Sequence, residues 1–269
     1  MQTVTDRPKG VVAPAAAASK FRLARYQPEP PFDAVLDHYW VVEWDLTGQP
    51  PYEQRTLPYP NVNVTFDRVQ YGCFGVVSRS FVYRLEGAGK VLGLRFRPGG
   101  FRGLLGRPLR SMTDRVLGFE EVFGPAWRDA NDIVLGAPDD PAMVAAANTL
   151  LAPHLAAPDP QVERVAALLR HAAEDQGLTR AEQMAARAGV SLRTLQALFS
   201  DYVGVSPKWA IRRYRLHEAA DRLAQGKAPD LAELAHALGY YDQAHLTRDF
   251  RALVGKSPAE YRQGELANR

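Results

Sequence analysis

AARAGVSLRTLQALFSDYVGVSP at residues 185–207 and AHALGYYDQAHLTRDFRALVGKSP at residues 235–258 are two degenerate copies of one pattern. Ala185 corresponds to Ala235 and Gly189 to Gly239 at an offset of fifty. After one extra residue in the second turn, Leu195, Phe199, Gly204, Ser206 and Pro207 correspond to Leu246, Phe250, Gly255, Ser257 and Pro258 at fifty-one. In each copy a short alanine-containing helix ends at a glycine, a brief turn follows, and Ser191 or Asp242 caps the next helix. In that helix Leu195, Leu198, Phe199 and Tyr202 fall at i, i+3, i+4 and i+7 and make an inward stripe, as do Leu246, Phe250 and Leu253. The opposite face displays Arg193, Gln196, Ala197 and Ser200 in the first copy, and Gln243, Ala244, Thr247, Arg248 and Arg251 in the second.

A helix has the right width for the DNA major groove, and Arg and Gln make paired hydrogen bonds with guanine and adenine edges. The joining segment, residues 206–225, would be about 28 Å long as one helix. That is close to the roughly 34 Å between successive major grooves on one face of the duplex. Antiparallel helix pairs with glycine turns also occur in proteins that never touch DNA. Duplication, two polar outward faces and this spacing together favour double-stranded DNA as the partner.

Residues 234–262, and especially the run Ala237-Leu238-Gly239-Tyr240-Tyr241-Asp242-Gln243-Ala244-His245-Leu246-Thr247-Arg248-Asp249-Phe250 followed by Gly255-Lys256-Ser257-Pro258-Ala259-Glu260-Tyr261-Arg262, closely resemble the C-terminal signature of AraC-type transcription regulators. The resemblance covers residues 162–262. It implies that the helices starting at Ser191 and Asp242 are recognition helices and that residues 209–223 belong to a rigid connecting helix. Arg193, Gln196 and Ala197 match base-contacting positions of the first, and Ala244, Thr247 and Arg248 those of the second. Ala197 departs from the pattern, because members often carry Arg there; a methyl group can at most touch a thymine methyl. His245 would meet backbone phosphate or the groove rim at the start of the second helix, with a cap-region or surface role as the alternative. The resemblance also implies transcription regulation, as activator or repressor, and contact with RNA polymerase.

Upstream of the repeat the chain changes character. Residues 37–46, 61–66, 75–85 and 91–96 are rich in Val, Tyr, Phe and Trp, and Asn61-Val62-Asn63-Val64-Thr65-Phe66 alternates with a period of two, which are strand signals. Met143, Val144, Ala147, Leu150 and Leu151 fit a helix, Pro153, Pro158 and Pro160 mark a boundary, and residues 161–175 resume helical periodicity. Thr179-Arg180-Ala181-Glu182 has the form of a capping box. The expected architecture is two-domain α+β: a flexible tail (1–20), a β-rich regulatory or dimerisation domain with trailing helices (21–151), a linker (152–160), an all-helical domain with two helix-turn-helix units joined by a long helix (161–264), and a short tail (265–269). The segments Asp37-His38-Tyr39-Trp40, Leu57-Pro58-Tyr59-Pro60-Asn61 and Leu94-Arg95-Phe96-Arg97-Pro98-Gly99-Gly100-Phe101 resemble a less-characterised sensor module attached to some of these regulators. That resemblance implies a β-rich, cupin-like regulatory fold and identifies no ligand.

Composition narrows the alternatives. The charge of +3 comes wholly from residues 160–269, with 16 basic against 13 acidic residues, while residues 1–159 hold 17 of each. With Cys73 alone, intrachain disulfides and cysteine-cluster zinc sites are excluded, and a reducing, cytoplasmic setting is expected. The six histidines, at 38, 154, 171, 217, 236 and 245, form no compact metal-ligand motif, so neither metal nor cofactor is expected. The N-terminal alanine run is too short and too weakly apolar for a membrane span.

On one face of the expected strand His38, Trp40 and Trp44 are candidates for a small-molecule effector site, with ordinary packing as the alternative. Arg95 and Arg97 alternate with Leu94 and Phe96 and either converge on an acidic ligand or pair with neighbouring carboxylates. No catalytic constellation is visible, so an enzyme is not expected. The competing readings are a small β-barrel enzyme tethered to DNA and an architectural protein without sequence preference. Homodimerisation through the N-terminal half is a further expectation, because DNA-binding symmetry commonly mirrors protein symmetry.

Overall fold

A computed structural model of the chain describes residues 2–5, 17–226 and 230–267. Its strands are β1 (Arg22–Tyr26), β2 (Leu36–Asp45), β3 (Tyr52–Thr56), β4 (Asn63–Phe66), β5 (Gly72–Phe74), β6 (Phe81–Leu85), β7 (Ala88–Phe96) and β8 (Val116–Leu117). Its α-helices are α1 (Arg102–Leu105), α2 (Phe119–Phe123), α3 (Ala130–Leu135), α4 (Asp140–Leu151), α5 (Pro160–Glu174), α6 (Ala181–Arg187), α7 (Leu192–Tyr202), α8 (Pro207–Ala224), α9 (Leu231–Ala237), α10 (Gln243–Val254) and α11 (Pro258–Ala267). A β-rich region is thus followed by a helical one, the α+β order expected from the change in periodicity. No helix among the described residues is long and apolar enough to cross a membrane.

Sequence alternation decides which face of the sheet is core. The six-stranded antiparallel sheet has the open order β1-β2-β7-β4-β5-β8, and β3 and β6 form a separate two-stranded ribbon. Tyr39 and Val41 on β2, Val64 and Phe66 on β4, and Leu92, Leu94 and Phe96 on β7 are all buried, and they share one core with Phe123, Trp127, Val134, Met143 and Leu151 from the trailing helices. Because side chains alternate along a strand, His38, Trp40, Val42 and Trp44 emerge on the other face. There Trp44 and Val91 join Leu85 of the β3–β6 ribbon in a second cluster.

The termini correct two expectations. Thr3 bridges to Tyr26 and the Val4 amide donates to the Arg25 carbonyl at 2.9 Å, so the start of the expected 1–20 tail extends the sheet edge; residues 6–16 lie outside the described residues. The C-terminal tail assigned to 265–269 is helical as far as Ala267, and Glu265 is buried. The reason in both cases is edge pairing and packing supplied by distant residues, which local composition does not carry.

The helical region has two cores, one for each unit. Val165, Leu169, Met184, Leu195 and Phe199 belong to the first, and Leu234, Leu246, Phe250, Leu253 and Tyr261 to the second. Each also takes one side chain from the β-rich region: Val76 enters the first and Leu57 the second. Polar contacts accompany them. Trp209 Nε1 and Arg213 Nη2 both donate to the Ser78 carbonyl, at 3.2 and 2.7 Å, and Arg97 pairs with Glu163 at 2.5 Å. The 152–160 segment contains a single 3-10 turn, Ala152–His154, before Pro160 opens α5, with the Asp159 side chain accepting from Gln161 N.

Candidate functional site

Both helix-turn-helix units are built by the local rules seen in the sequence. In the first, Gly189 takes φ +64 after α6, and Ser191 Oγ accepts from Thr194 N at 3.1 Å to start α7. In the second, Gly239 takes φ +74 after α9, and Asp242 Oδ1 accepts from His245 N at 2.7 Å to start α10. A Cβ at Gly239 would stand 2.4 Å from Thr179 Cγ2, so close approach and left-handed backbone both require glycine there. The start of α6 differs from the expected capping box: the helix begins at Ala181, and Gln183 rather than Glu182 accepts from the Thr179 and Arg180 amides, each at 2.9 Å.

With Leu195, Phe199, Leu246 and Phe250 fully buried, the opposite faces turn outward. Arg193, Gln196 and Ala197 on α7 are exposed, as are Gln243, Ala244, His245, Arg248 and Arg251 on α10, while Thr247 is half-buried. Arg193 and Arg248 have no ion-pair or hydrogen-bond partner among the described residues. Arg251 pairs with Glu260 at 3.5 Å, and the His245 ring lies 3.7 Å from Asp249 and edge-on to Tyr240. The structure therefore divides the expected DNA-facing set into uncommitted side chains and ones that already contact their own domain. The buried Asp249 is a residue the sequence reading assigned no role: it accepts from Arg212 Nε and Nη2, tying α10 to α8. Its position between the inward Leu246 and Phe250 was the only available signal.

The second site is a cavity of about 880 Å³ between the free face of the large sheet and the β3–β6 ribbon. That volume lies within the range of small-molecule sites. His38, Trp40, Trp44, Arg95 and Arg97 all line it. They converge because β2 and β7 are paired, with His38 opposite Arg95 and Trp40 opposite Gly93, and because a bulge between Leu36 and His38 leaves Asp37 as the extra residue. Asp37 Oδ2 lies 3.1 Å from His38 Nδ1 and 3.4 Å from Arg95 Nε. Burial works against ionisation of Asp37, but the His38 hydrogen bond and the Arg95 charge outweigh it and hold the carboxyl below its usual range. Burial also lowers the His38 pKa, by more than the hydrogen bond to Asp37 restores.

Tyr59 and Asn61 complete this end; the sequence placed them in the Leu57-Pro58-Tyr59-Pro60-Asn61 segment that resembles the sensor module, without a role for either side chain. Asn61 Oδ1 accepts from Arg95 Nη2 at 2.9 Å, and the Tyr59 ring lies 4.4 Å beneath the Arg95 guanidinium. Arg97 instead pairs across to Glu163 on α5. Cys73 is fully buried on the other face of the sheet, and burial pushes its thiol up, which keeps it unreactive.

A family model for a helix-turn-helix domain matches residues 184–264, and one for a domain of unknown function, DUF6597, matches residues 24–118. A Streptomyces antibioticus protein described as an AraC-like transcription regulator is 37% identical over 81 residues, 30% of this chain and 26% of that protein. The transcriptional activator RhaS of Pectobacterium carotovorum is 33% identical over 79 residues, 29% of this chain and 28% of that protein. The chain thus spans about a quarter of the length of these curated relatives. The DNA-binding domain of AdpA, solved with a target DNA, is 33% identical, with a TM-score of 0.34, covering 41% of this chain and 96% of that one. The matching helix-turn-helix model, the AraC-type relatives and the signature at residues 234–262 agree that residues 184–264 form a helix-turn-helix domain of the AraC type.

Proposed function

We propose that this chain is a sequence-specific DNA-binding transcription regulator whose two recognition helices, α7 and α10, read adjacent major-groove segments under the control of a small molecule bound in the N-terminal cavity. The observation that carries the reading is the pair of outward faces, with Arg193 and Gln196 on one helix and Arg248 on the other, exposed and held by buried stripes. The connecting helix α8 has 18 residues and is therefore about 27 Å long, suited to adjacent groove segments. The apolar and aromatic floor of the cavity, Trp40, Val42 and Trp44, supports regulation over catalysis, and the Asp37–His38 pair at its other end is engaged with Arg95.

The test is selection of the preferred site, followed by binding of variants to every single-base change at two salt concentrations. Arg248→Ala is expected to lose roughly 1–3 kcal/mol against its preferred base and to relax discrimination there, with a separate effect of similar size for Gln196→Ala. A phosphate-only contact would weaken all sequences alike and lower the salt slope by about one. Folded variants that keep the wild-type base preferences, or that both disturb the same base pair, would overturn the reading.

Domain independence is part of the same proposal. A fragment starting at Pro160 is expected to fold and retain DNA binding, but with lower stability than in the full chain, because each helical core loses one N-terminal apolar side chain. Cooperative unfolding and mobility shift of the fragment check this; an unfolded fragment contradicts it.

A further inference from the structure

The cavity has two chemically distinct ends, and we propose that together they make it a receptor for a flat organic acid, with an apolar ring system lying on Trp40 and its carboxylate held by Arg95. This inference rests on the effector reading above and names the class of effector.

The floor is shaped by two cross-strand pairs. Trp40 faces Gly93 and Trp44 faces Gly89, and a Cβ added to either glycine would stand 2.0 or 2.2 Å from the indole opposite. The rings therefore lie over bare backbone, which only glycine permits, and both border the cavity. Their N–H groups are already used: Trp40 Nε1 donates to Asn63 Oδ1 at 3.3 Å and Trp44 Nε1 to the Glu86 carbonyl at 3.2 Å. Trp44 is covered by Leu85, Val91 and Tyr83, whereas Trp40 is half-buried and leaves aromatic surface to a ligand, which suits a planar apolar body.

At the other end the positive charge is less solvated than its counterions. The Arg95 and Arg97 side chains are 21% and 27% exposed, whereas those of their carboxylate partners, Asp37 and Glu163, are 48% and 59% exposed. A carboxylate entering the cavity meets a guanidinium little screened by water, and in each existing pair the carboxylate is the more exposed member. Arg95 is also positioned and under-used. Asn61 and Tyr59 fix its plane, yet of its five N–H donors one, on Nη2, hydrogen-bonds to a described residue, and its buried Nε makes no hydrogen bond, with Asp37 Oδ2 at 3.4 Å as its ion-pair partner. Such a fork accepts a carboxylate bidentately.

The experiment measures binding of 2-naphthoate and of its uncharged counterpart 2-naphthamide to the full chain, by calorimetry and tryptophan fluorescence. Binding to the selected DNA site is measured on the same preparation. The expected result is saturable naphthoate binding, at least about tenfold tighter than the amide. Arg95→Gln should remove that preference, and Trp40→Leu should weaken both probes by similar factors. Equal or tighter amide binding, or no saturable naphthoate binding at about 1 mM, overturns the inference; the wild-type comparison decides this even if a variant fails to fold. DNA binding without naphthoate binding sinks the acid receptor and leaves the DNA-reading role standing. Naphthoate binding with no selectable DNA site does the reverse.

Discussion

Replacing Arg215 with Ala is expected to destabilise the helical region by about 3–5 kcal/mol, because it removes a buried charge whose hydrogen bonds hold three elements together. Arg215 is only 3% exposed at the middle of α8. Its Nη2 donates to the carbonyls of Ala172, Asp175 and Leu178, at 2.8, 2.6 and 3.4 Å. These carbonyls lie at the end of α5 and in the turn leading to α6, where a helix leaves its last C=O groups without intrahelical partners. Burial lowers the Arg215 pKa, and the nearby Glu218 and Asp175 carboxylates offset that desolvation only in part. Truncation leaves the carbonyls orphaned and the space of the side chain empty. Arg215→Met, which keeps most of the apolar stem, should lose less. Urea unfolding followed by circular dichroism, together with amide exchange in α5 and α6, measures the effect. A loss under about 1 kcal/mol for the Ala variant would show that the three hydrogen bonds do not organise this region.

The second large effect is expected at Leu57, whose replacement by Ala should cost about 3 kcal/mol. Leu57 comes from the segment between β3 and β4, yet it is buried among Leu216, Leu223, Leu234 and Phe250 of the second helix-turn-helix unit. The two residues that follow reinforce the joint. The Pro58 carbonyl lies 3.3 Å from His217 Nε2, and the Tyr59 ring is edge-on to His217 at 4.2 Å. Since Leu57, Pro58 and Tyr59 also border the cavity, one short stretch touches both the cavity and the connecting helix α8. Leu57→Ala should therefore lower stability and increase amide exchange in α8 and α10. Val82→Ala, on a residue 38% exposed, serves as a control expected within about 0.5 kcal/mol of the parent. Equal stability of the two variants would mean that Leu57 does not anchor the regions to each other.

These two residues mark the limit of what local pattern can reveal. Both helix-turn-helix units were legible because their determinants are close in sequence: a glycine at positive φ, a Ser or Asp cap, and apolar residues at helical spacing. The outward positions of Arg193, Gln196 and Arg248 followed from the inward positions of Leu195, Leu246 and Phe250, since one face of a helix fixes the other. In the same way, alternation placed His38 and Trp40 on the face opposite Tyr39. The β-rich region yielded strands but not their partners, because pairing β2 with β7 joins residues about fifty apart and depends on which edges remain available.

By itself, then, the sequence determined the repeated helical units, their outward polar faces and the alternation of the strands, all of which arise from interactions within a few residues. Tertiary structure decided that His38, Trp40, Trp44 and Arg95 share one cavity, that Asp37 is bulged beside them, and that Leu57 and Val76 enter the cores of the two helical units. Those outcomes depend on strand register and on apolar side chains finding a dry surface in a distant element, and burial is non-directional and carries no local signature.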